Sequence, residues 1–266
     1  MRTVLLTLLA LLLIVEMAFG LEGGLSQFNN SAHTLATYSH TVRVIGDHVD
    51  DYTRNRTGRC TGTLVAPNKI LTAGHCFKGT TVQDYHRVYL TQYNVDTKRI
   101  EVQEPGYNVS AIYIPDSFER PASLVNDIAI VKLSQDVPKQ FHPMRIYQND
   151  LSDQSLDQHQ FHAACLGIPQ TGASVEQFVR AAAFNLKACG ETCNFSPDRL
   201  LVMDTAGFPP ARIQPGDSGS GVVMPQGGVV KLVGVVVADE MMAPFNRVKR
   251  RWINCVLSRD PHGCRL

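Results

Sequence analysis

The stretch Gln214–Gly221, with the sequence QPGDSGSG, constrains this chain most, because three glycines surround one serine within eight residues. Glycine adopts positive φ easily and lets the backbone approach a bound group closely. A serine on so tight a turn presents its hydroxyl to solvent, and the N–H groups of Gly216 and Ser218 can point at one spot. This arrangement suits a nucleophile beside an oxyanion hole. An ordinary Gly/Ser turn between strands is the alternative interpretation of this stretch alone.

Two further motifs supply partners for such a serine. Leu71–Cys76 (LTAGHC) ends an apolar run and offers His75, and Asn126–Leu133 (NDIAIVKL) begins with Asp127 and continues as an apolar strand. A histidine, an acid and a serine in this chain order match one known arrangement of a catalytic triad. A single His or Asp is usually a surface or capping residue, so the joint occurrence of the three motifs carries the interpretation.

The motifs TAGHC, NDIAIVKL and GDSGSG resemble those of the trypsin/chymotrypsin family of serine proteases over about Val42–Leu257. The ending GSG and the phrase CTGTLVAPNKILTAGHC look closer to the bacterial-type and glutamyl-endopeptidase-like branches. The resemblance implies an all-β fold of two six-stranded antiparallel barrels with a C-terminal helix. It also implies a serine endopeptidase in which His75, Asp127 and Ser218 are catalytic and the amides of Gly216 and Ser218 form the oxyanion hole.

The chain of 266 residues is expected to hold a secretory signal followed by one protease domain. Residues 1–20 combine a positive start, an apolar run of about twelve residues and small residues near the end, which is typical of a signal peptide. The prediction places the protease domain at 21–266 and the protein outside the cell. Within that domain we expect an N-terminal barrel at about 21–133, a connection at 134–155, a C-terminal barrel at about 156–244 and a helix at about 245–258.

Short apolar runs between Gly, Pro and charged residues predict the strands of both barrels. The predicted strands of the first barrel are 42–46, 59–65, 69–72, 87–90, 109–114 and 128–133. Those of the second barrel are 162–167, 179–186, 200–204, 221–224 and 229–238. In the C-terminal helix, Val248, Trp252 and Val256 recur at four-residue spacing, which predicts a buried face. The basic residues Arg247, Lys249, Arg250 and Arg251 are expected on the solvated side.

The resemblance is weakest in the substrate pocket. Arg212 stands six residues before the nucleophile, at the position that forms the base of the pocket in the family. Val237 replaces the usual serine on the strand that lines the pocket, and Asp239 replaces the usual glycine. The cleavage preference therefore stays open. These departures also motivate the alternative function, a catalytically inactive binding protein with a protease fold.

The seven cysteines give partial checks of the resemblance. In the family, the positions of Cys60 and Cys76 are linked by a disulfide, and closing such a loop stabilises a chain by about 3 kcal/mol in the chain-entropy model. Cys189 could pair with Cys193, and Cys255 with Cys264. The family partner of Cys165 would fall at Met224, so Cys165 is expected to be a free buried thiol, with an intermolecular disulfide as the alternative.

The net charge and the sequence motifs limit the kinds of partner and cofactor that the protein is expected to bind. A formal net charge of +1 favours neither nucleic acid nor an anionic membrane surface, so protein or peptide substrates and a monomer are expected. No zinc-ligand spacing, phosphate loop or calcium loop occurs, so we expect no cofactor and no metal. Four N-x-S/T sequons are glycosylation candidates if the chain passes through a eukaryotic secretory pathway. They are Asn29, Asn55, Asn108 and Asn194.

Asp217, the acid before the nucleophile, needs a partner if it is buried. In the family, this residue pairs with an α-amino group released by proteolysis. We expect Leu21, the first residue after signal removal, to supply that group. The alternatives are a cut after Arg43 that exposes Val44, which would break the first predicted strand, and a partner within the folded chain.

Overall fold

Short runs with apolar residues on one face give the chain an almost entirely β structure. The computed structural model describes residues 40–46, 58–77, 86–94, 96, 99–118, 124–151, 156, 159–166, 180–188, 201–204, 213, 216–226, 229–238, 241–258 and 263–266. The strands in these ranges are β1 Thr41–Gly46, β2 Gly58–Ala66, β3 Lys69–Thr72, β4 Arg87–Asn94, β5 Arg99–Val102, β6 Tyr107–Tyr113, β7 Ala129–Leu133, β8 Phe161–Cys165, β9 Arg180–Ala188, β10 Leu201–Asp204, β11 Gly221–Gln226, β12 Val229–Ala238 and β13 Met241–Pro244. One α-helix, α1, spans Arg247–Ser258 within the same ranges.

The first seven strands include the six that form the N-terminal barrel. Six of them follow the order β1-β2-β3-β7-β6-β4, and pairing of β1 with β4 closes the ring, with Val42 opposite Leu90. β5 lies outside the ring and pairs only with β4 among the described strands. All pairings are antiparallel, as the sequence predicted. Apolar side chains from these strands, including Val44, Leu64 and Val131, fill the interior.

The last six strands close a second barrel in the order β10-β13-β12-β11-β8-β9. Its interior holds Phe161, Phe184 and Met224 among other buried apolar residues. The predicted architecture of two six-stranded antiparallel barrels and a C-terminal helix is confirmed. Two strands, β5 and β13, were not predicted from the sequence.

The connection between the barrels packs on both of them. The N–H of Met144 donates to the carbonyl oxygen of Leu64 in β2 at 2.8 Å. The next three residues of the connection contact β12, where Tyr147 N–H donates to Leu232 O and Leu232 N–H donates to Arg145 O, each at 2.8 Å. The linker thus fixes each barrel through backbone hydrogen bonds, although its composition is largely polar.

α1 begins two residues later than predicted because Asn246 caps it. The Asn246 Oδ1 accepts a hydrogen bond from Lys249 N–H at 2.9 Å, which is the geometry of an N-cap. At the other end, Lys69 of β3 donates through Nζ to the carbonyl oxygens of Val256 at 2.8 Å and Leu257 at 2.9 Å. A cation at the helix C-terminus also complements the helix dipole. The N-terminal barrel thereby anchors the C-terminal helix.

The predicted faces of α1 were partly wrong. Trp252 and Val256 are buried as expected, but Val248 is 52% exposed, whereas Lys249 and Arg250 are buried. Lys249 Nζ donates to the Pro244 carbonyl at 3.0 Å. Arg250 Nη1 donates to the carbonyl oxygens of Phe245 and Asn149, the latter at 3.0 Å, and contacts the Asp150 carboxylate at 2.8 Å. These hydrogen bonds satisfy the buried cations.

Candidate active site

Pairing of β3 with β7 brings His75 and Asp127 together. Thr72, the last residue of β3, lies opposite Ala129, the first residue of β7, so the residues beyond these two ends are neighbours. His75 lies in the short 3-10 turn Gly74–Phe77 that follows β3, and Asp127 stands two residues before the start of β7.

The two carboxylate oxygens of Asp127 make separate contacts with His75. Asp127 Oδ1 accepts the backbone N–H of His75 at 2.7 Å, and Oδ2 lies 2.6 Å from the ring Nδ1. The side chain of Asp127 is fully buried, whereas that of His75 is 30% exposed. The carboxylate therefore fixes both the main chain and the ring of His75, and the ring remains open to solvent.

A disulfide holds the segment that carries His75. Cys60 of β2 and Cys76 are joined with an S–S distance of 2.06 Å, the pairing that the family resemblance implied. Their sulfur atoms and a ring nitrogen of His75 lie within 4.8 Å of one another. Because the sulfurs are bonded to each other, they are not thiolate ligands, and this cluster does not indicate a metal site. Cys255 and Cys264 form a second disulfide at the end of α1.

Ser218 lies on a turn between the barrels, immediately before β11. Gly216 and Gly219 adopt positive φ values of 95° and 83°. Asp217, Gly219 and Ser220 are buried, whereas Ser218 is partly exposed. The sequence prediction that glycines shape this turn and present the serine agrees with these conformations.

The backbone hydrogen bonds of this turn leave two amides available. Gly219 N–H donates to Val236 O at 2.8 Å, and Ser220 N–H donates to Asp217 O at 3.0 Å. Within the described part of the chain, the N–H groups of Gly216 and Ser218 have no hydrogen-bond acceptor. Two uncommitted donors beside a partly exposed hydroxyl are what an oxyanion hole requires.

Threonines of the N-terminal barrel hold the same turn from behind, a feature that sequence reasoning missed. Thr61 N–H donates to Ser218 O at 2.9 Å, and Thr61 Oγ1 donates to Gly216 O at 2.8 Å. Thr72 Oγ1 in turn donates to Thr61 O at 2.7 Å. The available signal was the alternation of Thr61 and Thr63 within an apolar strand, which places two hydroxyls on one face.

Replacing Gly219 with alanine is expected to destabilise the fold by at least ~3 kcal/mol. A Cβ atom there would overlap Thr72 Oγ1 and Thr61 O, would lie 2.8 Å from Ala73 N, and would require a positive φ. Urea unfolding measures the loss. Gly263→Ala is the matched control, because a Cβ at Gly263 meets nothing within 4 Å. A Gly219→Ala variant as stable as Gly263→Ala would mean that the turn does not pack on β3 in this way.

Asp217 is buried next to Ser218 in the chain and lies beside the thiol of Cys165. Cys165 is a free, buried cysteine, in agreement with the sequence prediction. Burial raises the pKa of this thiol, and the charge of the Asp217 carboxylate raises it further. The thiol is therefore protonated at neutral pH and is no reactive nucleophile. The proposed partner Leu21 lies outside the described residues.

The alternative cut, after Arg43, would break the chain within strand β1 of the N-terminal barrel. Val44 lies within β1, where it pairs with Cys60 of β2 and Val88 of β4. Its side chain is buried in the N-terminal barrel. Release of an α-amino group at Val44 would therefore require the loss of these pairings.

The structure describes some of the remaining predicted residues. Val237 is buried in β12, and its side chain belongs to the core between the barrels, with Ile128 and Trp252. Asn108 is exposed on β6, and its Oδ1 accepts a hydrogen bond from Arg87. Arg212, Asp239, Asn29, Asn55, Asn194, Cys189 and Cys193 lie outside the described residues.

Comparisons with known proteins agree with this geometry. Part of the chain is similar to chymotrypsin-C of Bos taurus, with 36% identity over 89 residues, or 32% of this chain and 31% of that protein. The chain thus spans about a third of the length of this curated relative. The crystal structure of the scabies mite inactivated protease paralogue S-I1 superposes with a TM-score of 0.63 at 18% identity, covering 85% of this chain and 98% of that one. At that identity the likeness shows the fold alone. The model of the trypsin family matches residues 46–249, and the chain therefore belongs to the trypsin family of serine proteases.

Proposed function

We propose that this protein is an active serine endopeptidase that hydrolyses peptide bonds through His75, Asp127 and Ser218. The observation that carries the proposal is the double contact of the buried Asp127 carboxylate with His75, at 2.7 Å to the backbone N–H and 2.6 Å to Nδ1. A carboxylate on Nδ1 holds the imidazole in the tautomer whose Nε2 accepts a proton.

In the proposed reaction, Ser218 Oγ attacks the carbonyl carbon of the scissile peptide bond while Nε2 of His75 takes the hydroxyl proton. The C–O bond forms, and the negative charge on the carbonyl oxygen is held by the Gly216 and Ser218 amides. The tetrahedral intermediate collapses when His75 protonates the leaving amine, which leaves an acyl-enzyme. Water then enters, loses a proton to His75 and releases the acid, and the proton returns to Ser218.

The alternative function is a binding protein that keeps the protease fold without catalysis. It is favoured by the apolar side chain of Val237, which is buried in the core where the family usually carries a serine. The pair His75–Asp127 and the available amides of the turn favour catalysis, because a protein that no longer needs the chemistry has no reason to retain them together. The closeness to the bacterial-type branch stays a prediction.

Secretion and the substrate class belong to the same proposal. The two disulfides among the described residues suit an oxidising compartment outside the cytosol, and the pattern of residues 1–20 is typical of a secretory signal. No helix among the described residues combines the length and the apolarity that crossing a bilayer requires. We propose protein or peptide substrates.

A fluorophosphonate probe separates the two functions. The secreted wild-type protein is expected to form one covalent adduct, in which Ser218 Oγ bonds to phosphorus and fluoride leaves. It should also cleave unfolded casein. A folded protein that gives neither an adduct nor cleavage would make the binding-protein function the correct one.

A further inference from the structure

The hydroxyl of Thr61 connects three segments of the chain: strand β2, the residue Leu166 after β8, and the turn 216–220 that carries Ser218 (the nucleophile turn). Thr61 belongs to β2, and it is fully buried. Its Oγ1 accepts a hydrogen bond from Leu166 N–H at 3.1 Å and donates one to Gly216 O at 2.8 Å. A threonine hydroxyl has one proton, so these two bonds define a single orientation of the group.

The main chain of Thr61 adds a second attachment to the same turn. Its N–H donates to Ser218 O at 2.9 Å, while its carbonyl oxygen accepts Thr72 Oγ1 at 2.7 Å. Thr61 therefore holds the carbonyl oxygens on both sides of Asp217, one through the side chain and one through the backbone. Rotation of the Gly216–Asp217 peptide group or of the Ser218–Gly219 peptide group would break one of these bonds.

The two amides of the proposed oxyanion hole belong to the peptide groups next to those that Thr61 holds. The N–H groups of Gly216 and Ser218 have no acceptor among the described residues. A flexible glycine at φ 95° could turn its amide away at little cost unless its other peptide group were fixed. The hydrogen bond from Thr61 Oγ1 to Gly216 O supplies that restraint.

We propose that Thr61 is a positioning residue for the oxyanion hole, whose hydroxyl holds Gly216 in the conformation that offers its N–H to the reacting carbonyl oxygen. The inference rests on the proposed peptidase function. Because Thr61 is fully buried, it acts through Gly216 and touches no substrate. The N-terminal barrel, which carries His75, thereby also sets the geometry of the turn that carries Ser218.

The test compares Thr61→Val with Thr61→Ser and the wild type. Valine keeps the shape of threonine but leaves Gly216 O and Leu166 N–H without the hydroxyl, whereas serine retains it. We expect Thr61→Val to lower kcat on casein-derived peptides and the rate constant of fluorophosphonate labelling by about tenfold or more, with KM changed less than about twofold. Thr61→Ser should stay within about threefold of the wild type.

Thr91→Val is the matched control. Thr91 is also fully buried in the N-terminal barrel, and its Oγ1 donates to the carbonyl oxygen of Thr41 at 2.6 Å, away from the nucleophile turn. Both valine variants should lower the urea midpoint to a similar degree, but only Thr61→Val should lower kcat. Equal labelling rates for Thr61→Val and Thr91→Val would overturn the inference.

Two further outcomes keep the inference separate from the proposed function. If the wild type is not labelled at all, the peptidase function fails. If the wild type is labelled and Thr61→Val reacts at the wild-type rate, only the role of Thr61 fails. Should Thr61→Val not fold, Thr61→Ala replaces it under conditions in which it is folded, and a wild-type labelling rate in that variant equally refutes the role.

Discussion

Ser218→Ala is expected to abolish fluorophosphonate labelling and to lower peptidase activity by about 10⁴-fold or more. The alanine has no oxygen to form the bond to phosphorus or to the acyl group, and the remaining amides and binding contacts act on water alone. The fold should survive, because Ser218 is partly exposed and its backbone contacts to Thr61 do not involve the side chain. Labelling, casein cleavage and the urea midpoint are measured on the same secreted preparation.

Ser220→Ala is the matched control for this experiment. Ser220 stands two residues further along the same turn and is fully buried, so its hydroxyl cannot meet a probe without local opening. This variant should be labelled like the wild type. An adduct that persists in Ser218→Ala, or disappears in Ser220→Ala, would show that the nucleophile has been wrongly assigned.

The sequence predicted those strands that form separate apolar runs. It did not predict β5 and β13, which lack such a run. β13 spans Met241–Pro244, and its methionines and proline carry no strand signal. It forms because β12 turns back and supplies Val235 as a partner for Ala243. β5 spans Arg99–Val102, has only two apolar residues and is held by β4. Both strands depend on a partner that a local pattern does not reveal.

The faces of α1 show a second limit of pattern reasoning. Apolar periodicity predicted that Val248 is buried and that Lys249 and Arg250 are solvated. The reverse holds because the long side chains of Lys249 and Arg250 reach carbonyl oxygens, including those of Pro244 and Phe245, just before the helix. Periodicity treats a cation as a solvent-facing residue and cannot account for acceptors that the fold supplies.

For the candidate site, linear motifs predicted His75, Asp127 and Ser218 as the reacting residues, because each stands beside glycines or an apolar strand of recognisable type. The link from Thr61 to Gly216 spans 155 residues and carries no linear signature. Sequence motifs can therefore propose the chemical groups of a site, but they do not reveal the hydrogen bonds that hold those groups.

Asp127→Asn is expected to lower kcat by about 10⁴-fold, a loss of about 5.5 kcal/mol of transition-state stabilisation. Asp127 accepts two hydrogen bonds from one residue, because Oδ1 faces the His75 backbone N–H and Oδ2 faces Nδ1. Asparagine has only one oxygen to offer. With that oxygen on the backbone N–H, its NH₂ group faces Nδ1, so the ring proton moves to Nε2 and His75 can no longer accept the proton of Ser218.

The opposite orientation of the asparagine side-chain amide in Asp127→Asn is also expected to lower kcat. With the oxygen on Nδ1–H, the NH₂ group of the asparagine points at the backbone N–H of His75, and two donors oppose each other where the side chain is fully buried. Asp136→Asn is the control, since Asp136 is exposed and its one hydrogen bond within the described part of the chain comes from Asn68 at 2.7 Å. Fluorophosphonate labelling should slow in parallel with kcat in Asp127→Asn alone. A loss of less than about tenfold would mean that the Asp127 carboxylate does not set the tautomer of His75, whatever its distance from the ring.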